Sequence, residues 1–91
     1  MALFKFSVML KNITARDAKE PILVKLGQNL KKARADKISQ EKLANLVGVH
    51  RNYLGQVERG EANISIVNLV KIAQALDIKL EFLTKGLVIK S

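Results

Sequence analysis

Between Ser39 and Gly60 two short apolar-periodic segments meet at a single glycine, and this spacing constrains the fold more than any other feature of the chain. In the first segment Leu43, Ala44, Leu46 and Val47 recur at helical spacing and supply a buried face. Ser39 is suited to cap the free N–H groups at its start, and Glu41 lies in the first turn, where the helix dipole favours a negative charge. Gly48 ends it in the left-handed conformation that a tight turn requires. A second helix then runs from about His50 to Arg59 and closes at Gly60, with Leu54 and Val57 directed inward. If those two face a core, Arg51, Asn52, Gly55 and Gln56 share the opposite, exposed side.

Flanking segments extend the helical pattern. Pro21 suits a first helical turn, where its missing N–H costs nothing, and Leu23, Leu26, Leu30 and Ala33 follow at spacings of three and four. Ser65 caps a later helix, with Ile64 and Leu69 placed as a hydrophobic staple. Its expected stripe is Ile66, Leu69, Val70, Ala73 and Leu76. Beyond Leu76 the period changes to two: Ile78, Leu80 and Phe82 alternate with Lys79, Glu81 and Leu83, which predicts a C-terminal strand or hairpin over 78–91 rather than a fifth helix. Residues 3–10, rich in aromatic and β-branched side chains, predict a second strand near the N-terminus. The expected organisation is therefore an N-terminal extension over 1–20, a helical domain over 21–77 and a C-terminal strand element over 78–91.

Composition narrows the class of partner. The net charge of +8 on 91 residues points to a polyanion such as nucleic acid, an acidic membrane surface or an acidic protein. The excess is uneven: residues 1–38 carry +6 and residues 39–91 only +2. Cysteine is absent, so neither a disulfide framework nor a thiolate metal site can form. One histidine and no glycine-rich phosphate loop disfavour an enzyme, and no cofactor or metal is expected. No apolar run approaches the roughly 20 residues that span a bilayer, and a cytoplasmic location is expected. With only four Phe or Tyr residues the chain lacks the aromatic platform of an RNA reader.

Two short helices joined through a glycine turn are the geometry with which double-stranded DNA is read in its major groove. Residues 39–60, SQEKLANLVGVHRNYLGQVERG, match the pattern S/T-Q-x-x-L-A-x-x-x-G-V-x-x-x-x-I/L-x-x-x-E-x-G and resemble the phage-repressor (Cro/cI-like, XRE) family of transcriptional regulators. The likeness extends over about residues 22–77, with subgroup features of both restriction–modification controller proteins and HipB-like antitoxin repressors. It implies a mainly α fold of four to five helices and a dimeric regulator, most simply a repressor, on a palindromic operator. It further implies base contacts from Arg51, Asn52 and Gln56, and a phosphate contact from Gln40. His50, Tyr53, Arg59 and Asn63 flank that helix as further candidates for phosphate. Arg34 and Glu58 are implied as a structural ion pair, whose breakage would cost about 3–5 kcal/mol if buried.

One departure from the family pattern lies between Arg34 and Ser39, where Ala35-Asp36-Lys37-Ile38 is one residue short and lacks the usual glycine. The apolar residues outside the helical core, Phe4, Phe6, Val8, Ile78, Leu80, Phe82, Val88 and Ile89, are expected to meet a second copy, with β pairing between subunits. The alternative function is an antitoxin whose main task is to bind and neutralise a partner toxin.

Overall fold

The computed structural model describes residues 20–89, which form five helices: α1 (Pro21–Ala35), α2 (Gln40–Val47), α3 (Arg51–Glu58), α4 (Ile66–Ala75) and α5 (Leu80–Thr84). One core holds them together. Leu30, Leu43, Leu54, Ile72 and Leu83, one from each helix, are fully buried, and Leu26, Ala44, Val47, Val57, Leu69, Ala73 and Leu76 complete the cluster. Burying a side chain of this size is worth about 1.5–3 kcal/mol, so each helix is fastened mainly by what it contributes to that centre.

Local chemistry sets the ends of the helices. Ser39 accepts from the Lys42 N–H at 3.1 Å and Ser65 from the Asn68 N–H at 3.1 Å, each satisfying a donor that the helix leaves open. Gly48 closes α2 at φ 84°. The α1–α2 turn needs no left-handed residue. Both Lys37 and Ile38 donate their N–H groups to the Arg34 carbonyl, at 2.8 and 3.0 Å, while Arg34 Nη1 donates to the Ile38 carbonyl at 2.9 Å. The shortened, glycine-free connection is thus closed by one arginine from both its backbone and its side chain.

Side chains reach across the fold to close two further ends. Asn29 Nδ2 donates to the carbonyls of Leu83 (2.9 Å) and Lys85 (2.8 Å) past the end of α5, and Lys37 Nζ donates to the Leu76 carbonyl (2.9 Å) at the end of α4. These satisfy carbonyls that have no partner within their own helices. Gly27 permits the α1–α3 crossing: a Cβ there would lie 2.4 Å from the Val57 carbonyl oxygen and 2.5 Å from that of Glu58.

Three expectations require correction. Residues 78–89 contain no strand; Leu80–Thr84 is a short helix, and no strand occurs among the described residues. Alternation failed because the decisive burial is that of Leu83, one of the polar-phase positions, while Phe82 points outward. Ile78 and Leu80, expected at an intersubunit surface, are half-buried against the core. The second correction concerns α4, whose inward face is Leu69, Ile72 and Ala73, followed by Leu76; Ile66 and Val70 are exposed together with Val67. The third is Leu46, expected on the buried face of α2: that face is Leu43, Ala44 and Val47, and Leu46 lies one step round the helix in solvent. The predicted N-terminal strand, with Phe4, Phe6 and Val8, lies outside the described residues.

Candidate nucleic-acid interface

Helix α3 presents the candidate reading surface. Leu54 and Val57 are buried against the core, which turns Arg51, Asn52 and Gln56 to solvent. Together with Gln40, Gly55 and Arg59 they line an open depression of about 340 Å³. Arginine can bond bidentately to guanine O6 and N7, and asparagine or glutamine to adenine N6 and N7. Gly55 departs from its expected exposure: it is buried, with the Gln40 and Arg59 side chains over the place where its Cβ would be.

A buried polar relay supports this surface from behind. Arg34 donates through Nε and Nη2 to the two carboxylate oxygens of Glu58, the latter bond at 3.0 Å, and both residues are buried. Gln40 Nε2 donates to Glu58 Oε1 at 2.8 Å. The carboxylate at the end of α3 therefore holds the end of α1 and the beginning of α2 together. It also fixes the orientation of the Gln40 carboxamide, because the nitrogen must face Glu58. Among the described residues no buried side-chain polar atom lacks a partner.

The remaining candidates divide by what already occupies them. His50 is the N-cap of α3, its Nδ1 accepting from the Asn52 N–H at 3.0 Å. Tyr53 is half-buried and donates its hydroxyl to the Asn63 carbonyl at 2.6 Å, tying α3 to the loop before α4. Asn63 is exposed in that loop. Arg59, just past the end of α3, donates through Nε to both carboxylate oxygens of Glu61, at 3.1 and 3.2 Å. Sequence reading missed Gly27, Asn29 and Lys37, whose partners lie 30 or more residues away. A glycine and an asparagine inside the long amphipathic helix α1 were the available signal, since both weaken an isolated helix.

No set of three or more His, Asp or Glu among the described residues could hold a metal ion. Nor is any helix among them long and apolar enough to cross a membrane. A short buttressed helix with an exposed polar face, set beside a second helix through a glycine turn, defines a helix-turn-helix DNA-binding regulator. Residues 30–83 match the helix-turn-helix family HTH_3, and the chain belongs to this family, of the XRE type.

Control protein C.BamHI of Bacillus amyloliquefaciens is 41% identical in an alignment 66 positions long that covers 66% of this chain and 82% of that protein. Control protein C.SmaI of Serratia marcescens is 42% identical over 53 residues, 57% of this chain and 63% of that protein. Among solved structures, the restriction-modification controller protein C.AhdI from Aeromonas hydrophila superposes with a TM-score of 0.64 at 53% identity, covering 67% of this chain and 94% of that one. These relatives fall on the controller side of the two subgroups, and they lend no support to a toxin partner.

Proposed function

We propose that the chain is a transcriptional regulator of the restriction–modification controller type, acting in the cytoplasm as a homodimer on a palindromic operator. The observation that carries this reading is the exposed trio Arg51, Asn52 and Gln56 on a helix whose base is locked by the Arg34–Glu58–Gln40 relay. Such a helix meets the major groove with its backbone already fixed relative to α1 and α2. Gln40, His50, Arg59 and Asn63 act on the sugar–phosphate backbone, with Tyr53 supporting the loop that carries Asn63.

Dimerisation is supported by an apolar surface that a single copy leaves open. Ile66, Val67 and Val70 on α4, Phe82 on α5, and Val88 and Ile89 beyond it are all exposed, with Phe82 at 62% and Ile89 at 83%. A second copy covering this surface would place two α3 helices on half-sites about one helical turn, roughly 34 Å, apart. Repression follows where such a site overlaps a promoter.

Selection from a randomised operator library tests the reading mechanism. Arg51→Ala costs about 1–3 kcal/mol and flattens preference at one symmetric position in each half-site. Gln40→Ala weakens all sequences alike and leaves the preferred site unchanged, since phosphate contacts position the protein without reporting sequence. If Arg51→Ala selects the wild-type operator with undiminished stringency, α3 is not the reader. Affinity also falls with salt at a log–log slope of about −0.9 per neutralised phosphate.

A further inference from the structure

The glycines of the described residues have different reasons for being glycine. Gly48, Gly60 and Gly86 adopt positive φ, and the place of a Cβ on Gly27 is taken by backbone carbonyls of α3. Gly55 has neither reason. It lies in the middle of α3 with no positive φ, and the three atoms nearest to a Cβ built on it all belong to side chains of other residues. It would instead meet Arg59 Nη1 at 3.2 Å, Gln40 Oε1 at 3.7 Å and Gln40 Nε2 at 3.9 Å. Helix propensity favours alanine at such a position, so the absent side chain answers to something other than the fold.

Each of the two side chains over Gly55 has a partner, buried for Gln40 and at the surface for Arg59. Gln40 Nε2 is bonded to Glu58, and Arg59 Nε to Glu61. A new methyl group would press on the Arg59 guanidinium while Glu61 holds it near the same spot. Relief would come from lifting the guanidinium outward by a few tenths of an ångström or from loosening the Glu61 contact. We propose that Gly55 is a positioning residue for the DNA backbone: its missing side chain lets the Arg59 guanidinium and the Gln40 carboxamide lie flat on α3, and so sets how closely the sugar–phosphate chain can approach that helix. This rests on the DNA-binding reading above and adds to it a residue that itself offers no polar side-chain atom.

The test is a double-mutant cycle read by DNA affinity and melting temperature together. Gly55→Ala is expected to melt at or above wild type, because α3 gains a better helix former. It is also expected to bind both the operator and an unrelated duplex roughly tenfold more weakly, the scale of one charge-assisted hydrogen bond. In an Arg59→Ala background the same substitution should cost nothing further. Three results would overturn the proposal: wild-type affinity in Gly55→Ala, a melting temperature below wild type, or an undiminished loss when Arg59 is already alanine. A wild-type protein that binds no duplex would instead defeat the DNA-binding reading itself, and the two failures are distinct.

Discussion

The α2–turn–α3 region and the α4–α5 region rest on the same core but present opposite outer surfaces. Around α3 the polar side chains already have work within the chain: Glu58 takes Arg34 and Gln40, His50 caps the helix, and Tyr53 holds the Asn63 carbonyl. Around α4 and α5 large apolar side chains reach solvent, with Ile66, Val67 and Phe82 each about 60% exposed, while Lys71 and Glu81 are exposed on the same helices. Leu69, Ile72 and Leu83 meanwhile pin those same helices from inside. One surface is complete in a single copy and ready for a polar ligand. The other leaves several large hydrophobic side chains in water, and exposed apolar surface of this kind marks interaction sites. Rigid anchoring beneath both explains how one small core can serve two kinds of recognition.

That contrast can be broken most forcefully at the relay. Arg34→Ala leaves the buried Glu58 carboxylate without its counter-charge and should lower unfolding free energy by about 3–5 kcal/mol in urea titration. Because the pair is internal to one copy, its own contribution should not vary with protein concentration. Gly27→Ala forces α1 away from the Val57 and Glu58 carbonyls and should cost about 3 kcal/mol by the same measurement. A variant as stable as wild type would mean that α1 and α3 can separate freely.

Phe82→Asp probes the other surface. It should weaken self-association by about 2 kcal/mol in sedimentation equilibrium, as loss of a central aromatic anchor does, with the fold of each copy retained. Stability measured at high protein concentration would then fall toward its dilute value. An unchanged association constant would remove Phe82 from the interface. The smallest expected effect is a gain: Asp77 occupies φ 55° after α4, and Asp77→Gly should relieve about 1 kcal/mol of left-handed strain, read as a small rise in melting temperature.

The two regions also differed in how much the sequence disclosed. The caps at Ser39 and Ser65, the Gly48 turn and the inward Leu54 and Val57 follow from short-range rules, and the structure has them where those rules place them. Residues 78–84 obey no short-range rule strongly, since a five-residue helix shows little more than one turn of periodicity. Their conformation is decided by the socket for Leu83 and by the two hydrogen bonds that Asn29 donates to the Leu83 and Lys85 carbonyls, both contacts with distant parts of the chain. The exposure of Ile66 and Val70 was hidden for a related reason. In α4 apolar residues occupy more than one face, so periodicity cannot say which face the core takes. At the candidate site, exposure of Arg51, Asn52 and Gln56 was legible from the helical wheel, whereas the cover over Gly55 required knowing where α2 lies.

The cap on α3 has a consequence for the chemistry of its imidazole. A ring nitrogen that accepts the Asn52 N–H at 3.0 Å cannot itself carry a hydrogen, so the neutral His50 ring is confined to a single tautomer, with its hydrogen on Nε2. Nitrogen-15 chemical shifts should show that one form instead of the rapid exchange of a free imidazole. Whatever acceptor approaches this residue therefore meets a donor already chosen by the helix it caps.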